Sequence, residues 1–166
     1  MGEGYTHGMS FLPKPTPAPL PKTTDVKRIA IFYAVLLTGL AVAQLFTFEH
    51  FLQLLTTFEF PFGDQFAYFV GAFIVAAEVF ALPFLLRMPL SPAFRWFSMF
   101  CGWAVAAAWF KISLWLVIAD SAVVNVGYLG TVVDLMPGWW AIFIATALGI
   151  LTIWASWGMW PGNRKK

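Results

Sequence analysis

Four long apolar stretches set the architecture of this chain: Ile29 to Phe46, Phe66 to Leu86, Phe94 to Ala119 and Gly138 to Trp157. Each approaches or exceeds the ~20 apolar residues that a helix needs to cross ~30 Å of hydrocarbon at ~1.5 Å per residue. With 60% apolar and only 11% charged residues, the composition also falls in the range of polytopic membrane proteins. The sequence therefore predicts an all-α protein, a bundle of four transmembrane helices in the lipid bilayer.

A shorter segment, Phe48 to Phe58, follows the first span and is too short to cross the membrane again. Apolar residues recur in it at helical spacing and polar residues occupy the other positions: Phe51, Leu52, Leu55 and Phe58 against Glu49, Gln53, Thr56 and Thr57. This pattern predicts a short amphipathic helix that either lies at the membrane interface or folds back into the mouth of the bundle.

Basic residues outside the spans fall on one side of a four-span topology, whereas the other two connections carry only acidic charge. The basic residues are Lys14, Lys22, Lys27, Arg28, Arg87, Arg95, Arg164, Lys165 and Lys166, and the acidic ones are Glu49, Glu59, Asp64, Asp120 and Asp134. The positive-inside rule then predicts a multi-pass protein of the cytoplasmic (inner) membrane with both termini inside.

The predicted domain organisation has three parts. Residues 1–28 form a proline-rich cytoplasmic tail, in which proline recurs at every second position from Pro13 to Pro21 and favours polyproline II. We expect this tail to be retained, since it lacks the features of a cleaved signal peptide. Residues 29–160 form the transmembrane domain, and residues 161–166 form a basic cytoplasmic C-terminus.

Two charges of opposite sign lie inside the spans. Glu78 is near the middle of the second span and Lys111 is in the third. A charge at bilayer depth is costly unless it faces the protein interior, a partner or trapped water. We therefore predict a buried couple on adjacent antiparallel helices. Their depths differ by ~10 Å at ~1.5 Å per residue, so a strained direct pair, a bridging water or a third polar group between them fits.

Further polar residues extend this pattern toward the outer face. Gln44 reaches about the same depth as Lys111, and Glu49 and His50 lie slightly further out. We predict one polar trail, with Glu78 and Lys111 as candidate catalytic residues and Gln44, Glu49 and His50 as candidate cofactor-binding residues.

Small residues suggest where the helices pack. Ala104, Ala107 and Ala108 share a face with Lys111, and such stripes permit close approach of membrane helices, so we expect that face to point inward. An alternative remains open in which Lys111 snorkels to the outer interface and Glu78 is only a structural hydrogen-bonding group.

Counting ligands restricts the cofactors. His7 and His50 lie on opposite sides of the predicted membrane, so the chain cannot form a bis-histidine haem site. The sequence has no metal-ligand set, no nucleotide-binding glycine pattern and a single cysteine, Cys101. A formal charge of +2 does not suggest nucleic acid as a partner.

We do not expect an autonomous enzyme. What remains is a pocket for a quinone or a proton, in which Glu78 exchanges a proton and Lys111 stabilises an oxyanion.

Two segments carry a family resemblance, Gln44-Leu-Phe-Thr-Phe-Glu-His-Phe51 and Ala77-Glu-Val-Phe-Ala-Leu-Pro-Phe-Leu-Leu86. Together with the four spans, they resemble the DoxX/MauE-type small membrane proteins over roughly Ile29 to Trp157. The resemblance implies a membrane subunit or helper of a respiratory or periplasmic redox system, such as a thiosulfate:quinone oxidoreductase or the maturation of methylamine dehydrogenase. Residue by residue, it extends only to Glu78 and the Gln44–Phe51 segment.

Two other functions remain as alternatives. One is a non-catalytic accessory subunit that packs against other membrane subunits, or against copies of itself, and is anchored by its tail. The other is a small transporter that uses the polar trail as its path, although the four spans show no inverted repeat.

Overall fold

The computed structural model describes residues 15–119 and 123–161, and within them the chain forms five α-helices and no named strand. These helices are α1 (Thr24–Phe46), α2 (Phe48–Thr56), α3 (Asp64–Leu85), α4 (Pro92–Ile118) and α5 (Trp139–Gly158). All except α2 are long and apolar enough to cross a membrane. The predicted all-α architecture with four candidate spans and one short helix is therefore confirmed.

The four long helices form a bundle in which α3 packs against α1 and α4, and α5 packs against the same two helices. The buried face of α4 follows a seam with alternating steps of four and three residues: Ser98, Gly102, Val105, Trp109, Ile112 and Leu116. This spacing keeps one narrow stripe of the helix directed at its neighbours. The opposite faces of the bundle expose large apolar side chains such as Phe69, Phe100 and Phe143, as expected for contact with lipid.

Local sequence explains where the helices begin. The Thr23 side chain accepts a hydrogen bond from the N–H of Val26 at 3.3 Å, and Ser91 does the same for Phe94 at the start of α4. Both are preferred capping residues because their oxygen satisfies an N–H that the first helical turn leaves free. As a result, α1 begins at Thr24, so residues 24–28 of the predicted tail belong to this helix.

The short helix α2 folds onto the bundle, which decides between the two predicted placements. Phe51 and Leu55 are fully buried, and Leu52 and Leu55 cover Gly71 of α3. A Cβ at Gly71 would lie 2.7 Å from a methyl carbon of Leu55, so glycine permits this close packing.

The described part of the proline-rich segment packs against the bundle of its own chain. The N–H of Thr16 donates to the carbonyl of Leu90 at 3.0 Å, and the Arg95 guanidinium donates to the carbonyls of Thr16 at 2.7 Å and Pro17 at 3.0 Å. The N–H of Lys22 donates to the carbonyl of Gly158 at 3.1 Å. These contacts join the start of α1, the α3–α4 turn and the end of α5 on one side of the bundle, hereafter the terminal side. The predicted tail residues 1–14 and 162–166 lie outside the described residues.

On the opposite side, hereafter the loop side, residues 123–138 connect α4 to α5 and fold against the end of the bundle. Buried Asn125 organises this connection. Its amide donates to the carbonyl of Gly130 at 3.0 Å, and its oxygen accepts from the N–H of Gly127 at 2.9 Å. Gly130 has φ +59°, and a Cβ there would lie 2.5 Å from the Thr47 hydroxyl, so glycine lets the connection approach α1.

Candidate functional site

Glu78 lies at a buried junction between three helices. Its side chain is fully buried, and Oε1 accepts hydrogen bonds from Nε2 of Gln44 and from Nε1 of Trp109, each at 3.2 Å. The same Gln44 nitrogen donates to the carbonyl of Tyr128 at 3.0 Å. These four residues, hereafter the Glu78 junction, tie α1, α3 and α4 to the α4–α5 connection.

Tyr128 extends the junction to the fourth long helix. Its ring stacks on Trp109 with centroids 4.4 Å apart, and its hydroxyl donates to the carbonyl of Ala141 in α5 at 2.9 Å. The hydroxyl also lies 3.1 Å from Oγ of Ser113. Burial raises the pKa of Tyr128 to about 12, because the phenolate would lose its hydration there. Tyr128 therefore remains a neutral donor at physiological pH.

Two acceptors in the junction have no hydrogen-bond partner among the described residues: Oε2 of Glu78 and Oε1 of Gln44. Both belong to side chains that already meet through their other polar atoms. Glu78 lines none of four hollows of about 390 to 590 Å³ around the described bundle. Because its side chain is fully buried, the junction is a sealed hydrogen-bonded contact.

Lys111 lies elsewhere, and the predicted burial of this side chain beside Glu78 is wrong. Lys111 is exposed at the surface of the bundle, and the only ion pair between described residues joins Arg28 to Asp25 at 4.0 Å. Depth does not explain the separation, because Trp109, two residues earlier on α4, reaches Glu78 directly. Two residues correspond to a rotation of about 200° around a helix, so Lys111 points away from the junction.

Lys111 lines a crevice between α3 and α4 with a volume of about 390 Å³, hereafter the Lys111 crevice. Phe66, Val70 and Phe73 of α3 form one wall. The remaining lining residues are Phe60, Pro61, Ala104, Ala107, Ala108, Ile112 and Trp115. Within residues 15–119 and 123–161, the Lys111 ammonium has no hydrogen-bond or ion-pair partner.

The alanines explain why the crevice exists. Ala107 is exposed, and Ala104 and Ala108 are only partly buried, so the expectation that this small-residue face packs inside the bundle is wrong. Facing the larger side chains of α3, these methyl groups leave a hollow that opens to the outer surface of the bundle. The Trp115 indole closes one end by donating to the carbonyl of Phe58 at 2.9 Å.

The predicted polar trail is only partly present. Two members of the trail, Gln44 and Glu78, are hydrogen-bonded to each other. Glu49 and His50 are exposed on α2 and line neither the junction nor the crevice. Among the residues the structure describes, no cluster of three or more histidine, cysteine or acidic side chains could hold a metal ion.

Sequence reasoning missed two members of the junction, Trp109 and Tyr128. Trp109 follows the spacing of the α4 seam, which distinguishes it from the lipid-facing tryptophans. Tyr128 carries no comparable signal, since a loop folded by Asn125 positions it.

Comparisons of the chain with protein-family models, curated proteins and solved structures found no match. The DoxX/MauE resemblance therefore stays a prediction. The structure defines the class of the protein more coarsely, as a multi-pass helical protein with four helices suited to a bilayer.

Proposed function

We propose that this chain is an integral membrane subunit of a quinone-linked redox system and that the Lys111 crevice receives the quinone head. The observation that carries this proposal is an unpartnered ammonium in an apolar crevice open to the lipid-facing surface. A cation among apolar side chains at bilayer depth is costly, and a bound ligand that compensates the charge of Lys111 would lower this cost.

The chemistry of the crevice suits this ligand class. A quinone head is a flat ring with carbonyl acceptors, and the aromatic side chains of Phe66 and Phe73 offer surfaces for ring contact. Lys111 supplies a charged donor, which binds a carbonyl oxygen and stabilises negative charge that develops on it. The volume of about 390 Å³ lies within the range of small-molecule sites. An isoprenoid tail can remain in the surrounding lipid.

This proposal assigns different roles to the two charged residues. Lys111 binds the head, whereas Glu78 holds the bundle together from within the sealed junction. Electrons come from a partner subunit, in keeping with the family resemblance. Under the positive-inside rule, the terminal side faces the cytoplasm and the crevice lies in the outer leaflet of the inner membrane.

A photoreactive quinone analogue tests the proposal. The chain in lipid nanodiscs is labelled with this analogue, and the labelled peptides are mapped. We expect labelling of α3 between Phe66 and Phe73 or of α4 between Ala104 and Trp115, reduced by excess unlabelled quinone and by K111Q. Lys27→Gln serves as a control, because it removes the same charge from a residue that does not line the crevice. Labelling elsewhere, or equal labelling in the two variants, would contradict the proposal.

A second candidate is a non-catalytic accessory subunit. The small-residue face formed by Ala104, Ala107 and Ala108 favours it, because such a face also accommodates a partner helix, and a carboxylate on that helix would pair with Lys111. This candidate predicts that Ala107→Leu releases a co-purifying membrane protein. The quinone proposal predicts that the same variant blocks photolabelling of a chain purified alone.

A further inference from the structure

The terminal side carries a second site with basic and aromatic side chains, and it is lined by different residues from those of the Lys111 crevice. Nζ of Lys22 lies 5.5 Å from the ring centroid of Trp157, within cation–π range. Both side chains are exposed, and both line each of two hollows of about 420 Å³ and 590 Å³. We name this pair with its two hollows the Lys22 shelf.

The lining of the two hollows changes from polar to apolar along α5. Near the end of the helix are Lys22 and the Ser156 hydroxyl, which accepts a hydrogen bond from the Trp103 indole at 3.0 Å. Ile153 and Ile150, one and two turns earlier, line the hollows toward the membrane interior. A ligand matching this order has a polar head at the helix end and an apolar chain along α5.

We propose that the Lys22 shelf binds an anionic phospholipid, with its phosphate at Lys22 and an acyl chain along Ile153 and Ile150. Charge complementarity selects an anionic head over a zwitterionic one. Asp25 also lines one hollow, but it pairs with Arg28 at 4.0 Å, so Lys22 and the exposed Lys27 leave this surface positive. Basic residues at the membrane surface attract anionic lipids in this way.

The bound lipid would also stabilise the start of the chain. The backbone N–H of Lys22 donates to the carbonyl of Gly158, so the same residue joins the segment before α1 to the end of α5. A lipid phosphate on its side chain would strengthen this connection. The Lys22 shelf shares no lining residue with the Lys111 crevice, so lipid binding there does not depend on quinone binding.

The test measures the thermal unfolding midpoint of the full chain in detergent during titration with phosphatidylglycerol or phosphatidylcholine. We expect phosphatidylglycerol to raise the midpoint more than phosphatidylcholine does. Lys22→Gln should weaken the apparent affinity for phosphatidylglycerol about fivefold, the change that corresponds to the loss of one basic residue at the surface. Lys27→Gln, which removes the same charge outside the hollows, should weaken it far less.

Lys22→Arg separates a binding role from a structural one, because it keeps the charge and should keep most of the phosphatidylglycerol effect. Equal losses in K22Q and K27Q would overturn the proposal in favour of diffuse surface attraction. Equal stabilisation by the two lipids, or complete loss of the effect in K22R, would overturn it as well.

Discussion

The Trp109 indole N–H donates to Oε1 of Glu78 at 3.2 Å, and this bond joins α4 to α3 inside the bundle. It places the carboxyl of Glu78 in contact with hydrogen-bond donors rather than with a cation. Lys111, two residues after Trp109, lies on the outer surface instead. About half a turn of α4 thus separates a sealed structural junction from an open candidate binding site.

The first prediction concerns the protonation of Glu78. Its Oε2 has no donor and no cation among the described residues, and an unpaired carboxylate buried in this way is costly. A proton on Oε2 would remove that cost. We expect E78Q to stay within about 1 kcal/mol of wild type and E78A to lose about 3 kcal/mol, since it strands two buried donors.

Unfolding of the purified variants in a denaturing detergent measures these differences. Infrared difference spectra of wild type and E78Q should also show one protonated carboxyl C=O band that the variant lacks. If E78Q is as unstable as E78A, or if this band is missing, Glu78 is ionised in the junction.

The second prediction concerns Ser98 beside the internal proline of α3. Its hydroxyl accepts from the N–H of Phe84 at 3.0 Å and donates to the carbonyl of Phe80 at 2.6 Å. It thereby bridges backbone groups next to Pro83, where the helix lacks one N–H. We expect S98A to reduce the free energy of unfolding by about 1 to 3 kcal/mol. Exposed Thr146, which bonds only within its own helix, supplies the control T146A; equal effects of the two variants would refute the bridge.

The third prediction concerns pH and Tyr128. Its pKa is about 12 in the folded chain, against 10.0 for an ordinary tyrosine. The folded chain holds the Tyr128 proton more tightly than the unfolded chain does. The resulting contribution to the free energy of unfolding is therefore fully present below pH 10 and is lost as the pH rises through about 12. The loss amounts to about 2 to 3 kcal/mol. The stability difference between wild type and Y128F, measured from pH 8 to pH 12, should shrink over this window; a constant difference would contradict the assignment.

The fourth prediction concerns Gly130 in the connection between α4 and α5. G130A forces a side chain into a left-handed backbone conformation and against Thr47 and the carbonyl oxygen of Ala43. We expect it to cost at least about 2 kcal/mol and to loosen the contact between Tyr128 and Gln44. Gly149 has no atom within 4 Å of an added Cβ, so G149A is a matched control that should not destabilise α5. Similar stability of the two variants would show that the close approach at Gly130 is not required.

The four spans and the short helix were predictable, because long apolar stretches and helical spacing are local properties of the sequence. The inward direction of Glu78 was also predictable, since a buried charge requires polar neighbours. Its direct contact with Gln44 was not predicted, because the sequence placed Gln44 at the depth of Lys111 within the same polar trail. These arguments need no knowledge of how the loops fold.

The inward direction predicted for Lys111 was wrong, because a stripe of alanines is compatible both with helix packing and with a surface hollow. The α4 seam from Ser98 to Leu116 held the relevant signal, and Lys111 lies off it. Tyr128 could not be placed, because its position depends on Asn125, Gly127 and Gly130 acting together in a long connection.

The most direct test of the central claim is the quinone affinity of three proteins in nanodiscs: wild type, E78Q and K111Q. Loss of a charged hydrogen bond of about 1.5 kcal/mol corresponds to about tenfold weaker binding. The account predicts this loss in K111Q and an unchanged affinity in E78Q. A normal quinone affinity in K111Q together with a loss in E78Q would contradict the account. The quinone site would then lie at Glu78 inside the bundle.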